Sequence, residues 1–267
     1  MSYKSKMTET GNVLDINFIP PLTMQHIFTL ETIYPYATQM IGETALSGDI
    51  IYTVPKNTKL GGKYGTKLEL NYSLVHDIDK QPVAPGIPVD STGTLGYKSK
   101  FFSWGDLIFQ DLNFNFEKKI SKSFRLILEY MNLHYDIAVI EGHPGKPMVH
   151  ANIGIADLTY KITSTNSLRM EYQMLITAQD RGNWAMLLFE YNIAPKWFFS
   201  ILDQYNYGNP DPGLRLHYYT GSVAFAQGPS RISLSYGRQR EGLLCIGGVC
   251  RQVPASNGFA LSVSTNF

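Results

Sequence analysis

The last ten residues of the chain read Gly258-Phe259-Ala260-Leu261-Ser262-Val263-Ser264-Thr265-Asn266-Phe267. One parity carries Phe259, Leu261, Val263 and Phe267, and the other carries small or polar residues. A β-strand converts a period of two into two faces, so this stretch predicts a strand with one apolar and one polar face. A last strand that ends on an aromatic residue is typical of a transmembrane β-barrel. The edge strand of a soluble β-sandwich is the alternative, and the other strands decide between the two.

The same alternation recurs along the chain between short turn signals. It is most regular in Ser167–Gln179, where only Leu175 departs from the pattern, and it is also clear in Gly65–Asp77. Another strand is predicted at Leu22–Thr38, where four apolar residues share a parity: Phe28, Leu30, Tyr34 and Tyr36. Convincing helical periodicity appears nowhere. Repeated short strands joined as hairpins predict an all-β sandwich or barrel.

The composition excludes several classes of protein. Charged residues make up 17% of the chain, aromatic residues 13%, and the net charge is +1. A net charge this close to zero gives no indication of the basic surface that nucleic-acid binding requires. No apolar run approaches the roughly 20 residues of a membrane helix. Few charges and many tyrosines are compatible with a transmembrane barrel. Its aromatic girdles account for the tyrosines, and its polar lumen-facing residues lower the mean hydropathy that its lipid-facing residues raise.

The predicted connections alternate between short and long. Tight turns such as 163–166 and 194–196 lie at one end of the strands, and Pro/Gly-rich loops such as 78–100 and 240–252 lie at the other. Short turns on one side and long loops on the other are typical of bacterial outer-membrane barrels. We therefore predict an all-β fold, an antiparallel up-and-down transmembrane β-barrel of roughly 12–14 strands, with an incomplete barrel as a variant.

We expect a single β-barrel domain over residues 1–267, with residues 78–100 as a long outward loop. No apolar signal segment follows Met1, although an outer-membrane barrel needs one. We therefore expect the chain to be the carboxy-terminal part of a longer barrel protein.

Charged residues on the polar faces are the candidate lumen residues. They are Lys67, Glu69, Asp111, Glu117, Arg125, Glu129, Arg169, Glu171, Arg215 and Arg231. They would either line a water-filled pore or pair with each other in a plugged lumen, since both arrangements require the same residue types. Aromatic residues near strand ends predict membrane-interface positions at Trp104, Trp184, Trp197 and Phe267.

Two cysteines, Cys245 and Cys250, flank a Gly-Gly pair. The glycines would let the segment fold back sharply, so we predict a disulfide between them. A disulfide implies an oxidising compartment such as the periplasm or the cell surface.

Motifs for catalysis, cofactors or metal binding are absent from the sequence. It contains no phosphate loop, dinucleotide fingerprint or zinc-ligand spacing. Three histidines, His134, His150 and His217, have serines nearby and leave a lipid-acting enzyme as a remote alternative, because a triad is defined by geometry rather than by sequence position. We therefore predict no enzyme, no catalytic residue, no cofactor and no metal site.

Three stretches resemble an uncharacterised Bacteroidota outer-membrane barrel family that is known as a domain of unknown function. They are Tyr34–Thr38, Gly61–Thr66 and the cysteine-containing segment Arg240–Ser256. The resemblance implies a location in the outer membrane of a Gram-negative bacterium, and it implies no activity.

The sequence thus predicts a passive channel or a structural component of the envelope. A surface receptor or a secretion-complex barrel, whose outward loops bind a partner, is the alternative. The expected partners are membrane lipids, the barrel-insertion machinery at the carboxy-terminal strand and an envelope protein, with no nucleic acid.

Overall fold

A computed structural model describes residues 6–7, 14–15, 20–39, 42–89, 96–246 and 249–265, with backbone alone at 6–7, 14–15, 243–246 and 249–252. Within these ranges, fifteen strands account for most of the regular structure: β1 (Lys6–Met7), β2 (Leu14–Asp15), β3 (Glu43–Val54), β4 (Thr66–Asp77), β5 (Leu107–Lys119), β6 (Phe124–Tyr135), β7 (Val149–Lys161), β8 (Asn166–Ile176), β9 (Trp184–Ile193), β10 (Trp197–Tyr205), β11 (His217–Gln227), β12 (Ser230–Gln239), β13 (Gly242–Ile246), β14 (Val249–Val253) and β15 (Ser256–Thr265). Helical structure is limited to α1 (Ile137–Ile140) and two 3₁₀ turns, Glu31–Ile33 and Pro212–Leu214. In the described part of the chain, no helix is long and apolar enough to span a membrane.

Eleven strands of the described chain form one antiparallel sheet in the order β15-β12-β11-β10-β9-β8-β7-β6-β5-β4-β3. Apart from the β13–β14 hairpin, each strand pairs with its neighbour in the chain, which is an up-and-down topology. This confirms the predicted all-β, antiparallel up-and-down fold. The sheet has fewer strands than the predicted 12–14, and within the described residues it is open, with β3 and β15 as its edges.

The connections reproduce the predicted asymmetry. One end of the sheet carries the short turns 120–123, 162–165, 194–196 and 228–229, with 55–65 as the longer exception. The other end carries the connections 78–106, 136–148, 177–183, 206–216 and 240–255. These two ends are called the short-turn end and the long-loop end below.

The outer face of the sheet is apolar although it is exposed. On β6 the even residues Phe124, Leu126, Leu128 and Tyr130 face outward, and Leu128 is 43% exposed. The odd residues of the same strand, from Glu129 to Tyr135, lie on the buried side. The alternation holds on the neighbouring strands, so the sheet has an apolar outer face and a partly polar inner face.

Residues 20–39 cover the inner face, and we call them the N-terminal segment. Sequence analysis predicted a strand at Leu22–Thr38, and that prediction is wrong: the segment is irregular apart from the 3₁₀ turn. Its apolar residues Phe28, Leu30, Tyr34 and Tyr36 are nevertheless buried against the sheet. The alternation in this stretch reflects burial of one parity and not pairing with another strand.

The apolar core between the segment and the sheet lies toward the long-loop end. It includes Val75, Phe109, Tyr135, Val149 and Trp184, each near the long-loop end of its strand. Leu175, the residue that departs from the alternation of β8, belongs to this core and is fully buried. The departure from alternation at Leu175 therefore marks the position where the inner face of β8 belongs to the apolar core under the N-terminal segment.

Candidate functional site

The inner face and the N-terminal segment together form the candidate site. Backbone and side-chain hydrogen bonds fix the segment in place: the Leu30 amide donates to Gln173 Oε1 at 2.7 Å, and the Tyr34 hydroxyl donates to Asp180 Oδ2 at 3.2 Å. The Tyr135 ring packs against Tyr34 with the ring centroids 5.3 Å apart. The segment is thus held by polar bonds as well as by its apolar contacts.

At mid-depth, His26 and Glu31 of the N-terminal segment meet two carboxylates of the sheet. His26 Nε2 lies 2.8 Å from Asp111 Oδ2 on β5, and His26 Nδ1 lies 3.6 Å from Glu31 Oε2. Glu129 on β6 lies opposite Asn115 in the strand register and next to this pair. Ligand atoms of His26, Glu31 and Glu129 all lie within 4.8 Å of one another.

The cluster perturbs the protonation of both residues of the N-terminal segment. Burial disfavours the imidazolium of His26, but its hydrogen bond to Asp111 and the nearby Glu31 carboxyl outweigh that effect and raise the pKa to about 10. Burial raises the pKa of the Glu31 carboxyl to about 8, because a charged carboxylate is poorly solvated there. The cluster therefore strongly disfavours uncompensated negative charge.

Toward the short-turn end, the interior holds a network centred on Arg169 of β8. Its guanidinium donates to Asp157 Oδ2 of β7 at 2.8 Å and to Glu190 Oε2 of β9 at 2.7 Å, and it also contacts Glu171. Three neighbouring strands are connected by one cation. Arg125 pairs with Glu117 at 2.8 Å, and Lys67 with Glu69 at 2.5 Å, in the same half of the interior.

Nine of the ten predicted lumen charges lie on the buried-face parity of their strands: Lys67, Glu69, Asp111, Glu117, Arg125, Glu129, Arg169, Glu171 and Arg231. Arg215 does not, and its prediction is wrong. It lies in the 206–216 connection, where its Nε donates to the Asn209 carbonyl at 2.9 Å, because β11 begins only at His217.

The predicted interface aromatics fall into different environments. Trp104 and Trp197 are exposed, at the long-loop and the short-turn end respectively. Trp184 is only 2% exposed and lies in the interior core, so its prediction as an interface residue is wrong. Its parity on β9 is that of Met186 and Leu188, which the inward pleat buries. Phe267 lies outside the described residues.

The backbone of the β13–β14 hairpin pairs Cys245 directly opposite Cys250. Opposed residues of an antiparallel pair lie within the Cα separation that a disulfide spans. The side chains of both cysteines lie outside the described residues, and the disulfide stays a prediction.

The three histidines of the lipid-acting alternative do not come together. His134 and His150 are neighbours on the outer face, with ring centroids 4.5 Å apart. His217 lies on another strand, pairs with Asp203 at 2.7 Å and stacks on Tyr205. Within the described ranges, no hydrogen bond joins the side chain of any of these histidines to a serine hydroxyl.

Sequence analysis missed His26 and Glu31 as members of the site. They stand on a stretch that was predicted to be a strand, and their partners Asp111 and Glu129 lie 85 or more positions further along the chain. One signal was present: Glu31 is the only Asp, Glu, Lys or Arg between Asp15 and Glu43, and a lone charge requires a polar partner when it is buried.

These features define a class of protein, an up-and-down antiparallel β-sheet with an apolar outer face and an interior occupied by its own N-terminal segment. Within that class, residues 1–267 match the Family of unknown function (DUF6029), and the chain belongs to this family. The predicted membership in a family of unknown function is thereby confirmed.

No curated protein matches the chain. Among solved structures, a triple mutant of the Rhodopseudomonas blastica porin is similar at 10% identity, over 73% of this chain and 85% of that chain, with a TM-score of 0.25.

Proposed function

We propose that the protein is an outer-membrane β-barrel of a Gram-negative bacterium, acting as a non-catalytic structural component of the envelope with its own N-terminal segment in the lumen. The resemblance noted above favours the Bacteroidota. The single observation that carries the proposal is the exposed apolar outer face, which lies opposite an inner face with buried charged residues; an exposed apolar face of this extent suits lipid and not water.

The apolar part of the outer face also ends at a level that fits a membrane boundary. Outward residues of β6 are apolar from Phe124 to Tyr130 and polar at Asn132 and His134. Asn132 pairs in register with Asn152 of β7, and His134 pairs with His150, so the change occurs at the same level on both strands. A band of apolar residues that ends at one level is expected where hydrocarbon gives way to the interface.

An occupied lumen is favoured over an open passive channel. The N-terminal segment buries Leu30 and Tyr34 against the sheet, and the buried charges of the Arg169 network at the short-turn end are paired with each other. Paired charges hold strands together, whereas an ion pathway needs charges accessible to water.

The edges β3 and β15 require partners in this setting, because lipid cannot satisfy free backbone N–H and C=O groups. Either the two edges close on each other, or further strands of a longer barrel protein lie between them. The apolar parity of β15, with Phe259, Leu261 and Val263, continues that of β12, and we propose that this strand is the one the insertion machinery binds.

A surface receptor or assembly barrel is the second candidate. The observation that favours it is the structure of the long-loop end, where the 240–255 connection contains the β13–β14 hairpin and the 78–106 connection has an antiparallel bridge between Gln81 and Lys98. Connections with paired backbone of this kind can present a surface to an envelope protein.

The test is to refold the full chain from detergent into a planar bilayer and record single-channel currents, with heat-modifiable migration on gels as the check of folding. We expect a folded, inserted protein without stable conductance steps. Stable conductance steps would contradict the occupied lumen and indicate an open channel. A monomer that stays in solution without detergent and does not bind vesicles would contradict the membrane assignment.

A further inference from the structure

We propose that His26, Glu31 and Glu129 bind one divalent transition-metal ion inside the lumen, with Asp111 orienting the histidine. The inference goes beyond the proposed function and does not depend on whether the lumen conducts. It rests on the juxtaposition of these side chains at mid-depth and on buried atoms that lack partners.

The distances suit a single ion. The ligand atoms of His26, Glu31 and Glu129 lie within 4.8 Å of one another. Nitrogen and oxygen ligands lie about 2.0–2.2 Å from a zinc ion, so neighbouring ligands of a tetrahedral site are about 3.4 Å apart. His26 Nδ1 and Glu31 Oε2, which are 3.6 Å apart, are already close to that spacing. A shift of the Glu129 side chain toward them on the order of 1 Å would bring the third ligand into place.

Glu31 supplies the independent sign of a missing ligand. Its residue exposure is 1%, and among the described residues neither carboxylate oxygen has a hydrogen-bond partner. Buried carboxylates are normally paired, hydrogen-bonded or bound to a metal, because an isolated one is costly. Both oxygens belong to a side chain directed at His26 and Glu129.

The histidine is oriented as a metal ligand would be. Asp111 Oδ2 accepts a hydrogen bond from Nε2, so a metal ion would bind at Nδ1, on the Glu31 side, and would displace only the proton of that nitrogen. Nδ1 is buried and has no hydrogen-bond partner in the described part of the chain. A carboxylate that holds the far nitrogen of a ligating histidine is a recurrent feature of metal sites.

Glu129 is likewise held in place from behind. Its Oε1 accepts from Asn113 Nδ2 at 2.5 Å, and its Oε2 accepts from Asn115 Nδ2 at 2.7 Å. Each carboxylate oxygen retains a further lone pair for an ion. The two amides are neutral, so they orient Glu129 without compensating its charge.

The charge and the donor types indicate the class of ion. Three carboxyl groups, those of Glu31, Asp111 and Glu129, face one imidazole, and a bound dication would stabilise all three in the ionised form. One nitrogen and several carboxylate oxygens suit zinc, manganese or ferrous iron better than the all-oxygen sites preferred by calcium and magnesium. The ion would link two residues of the N-terminal segment to β6.

The test uses the full chain, refolded in detergent and freed of metal with a chelator. Zn(II) and Mn(II) are titrated separately by calorimetry, and the bound metal is counted after desalting. We expect one ion per chain for at least one of the two metals. Addition of that metal should also slow proteolysis within residues 20–39, a readout that requires no activity and no bilayer.

Variants then locate the ion. We expect His26→Ala and Glu31→Gln to weaken binding by at least about 100-fold, and Asp111→Asn to weaken it by about 10- to 100-fold, because loss of an orienting partner has that effect. His150→Ala is the matched control, since this histidine is exposed on the outer face, and it should bind as the wild type does.

The wild-type titration keeps the proposal falsifiable even if a variant fails to fold. Absence of stoichiometric Zn(II) and Mn(II) binding by the folded wild-type chain would overturn it and leave a proton shared between Glu31 and Glu129. Unchanged affinity in a folded His26→Ala variant would overturn it as well. Either result leaves the outer-membrane proposal intact, because that proposal is tested by insertion.

Discussion

Arg169 is the residue on which the short-turn half of the interior depends. Its guanidinium contacts Asp157, Glu171 and Glu190, which come from three neighbouring strands. The sequence predicted that Arg169 and Glu171 face the interior. It did not predict that one arginine is shared, because Asp157 and Glu190 were not among the predicted lumen charges.

We expect Arg169→Met to destabilise the fold by about 3–5 kcal/mol, because removal of one partner leaves buried carboxylates uncompensated. Equilibrium unfolding of the full chain in denaturant, in detergent or vesicles, measures the change. Arg231→Met is the control: this side chain is exposed and lies over the Phe198 ring, and a change within about 0.5 kcal/mol is expected. Equal losses of unfolding free energy for both substitutions would show that the network around Arg169 contributes no more to stability than an exposed arginine does.

Leu175 offers a second residue-scale comparison with its neighbour Ile176. We expect Leu175→Ala to cost about 2–5 kcal/mol, because it opens a cavity in the packed interior. Ile176→Ala, at an exposed outward position, should cost much less, since fluid lipid leaves no cavity. A larger loss for Ile176→Ala in the same unfolding measurement would reverse the assignment of the two faces of β8.

At the scale of elements, the N-terminal segment determines which side chains meet at the inner face of the sheet and how much of that face is covered. It carries His26 and Glu31 to the inner face of the sheet, and it covers that face at the long-loop end. Its alternating pattern predicted a strand, but alternation reports only that one parity is buried. A strand also needs a free edge to pair with, and in this chain the backbone amide of Leu30 is bound to the Gln173 side chain.

We expect Leu30→Asp to release the segment, because a charge at this fully buried position has no partner. Proteolysis within residues 20–39 should become at least about tenfold faster, since local opening controls cleavage. Conductance steps absent from the wild type should appear in the same variant. Leu22→Asp, at an exposed position of the same segment, is the matched control and should leave both properties unchanged.

At the scale of the whole molecule, the outer face decides between a membrane protein and a soluble one. Leu128 lies outward on β6, midway between the two ends of the strand, and it is exposed. A soluble sandwich would pack that position against the apolar face of a second sheet, and a transmembrane barrel would surround it with hydrocarbon.

We expect Leu128→Arg to destabilise the protein in vesicles by about 2–4 kcal/mol, because a lipid-facing arginine is costly near the bilayer midplane. His134→Arg, on the same face beyond the apolar band, should cost about 1 kcal/mol or less. Unfolding from lipid vesicles into denaturant provides both values. A change of no more than about 0.5 kcal/mol for Leu128→Arg would instead fit a position exposed to water.

The sequence by itself determined the strands from β4 to β12 to within a few residues, the two faces of each and the asymmetry of the connections. These are local properties: the pleat imposes a period of two, and glycine, proline and polar residues mark the turns. Only the tertiary structure decided which face is covered and by what. It placed Trp184 inside, removed Arg215 from the lumen, and brought His26 and Glu31 against Asp111 and Glu129. Those outcomes depend on how an irregular segment fits a surface built from several strands, and no periodicity in the segment encodes that surface.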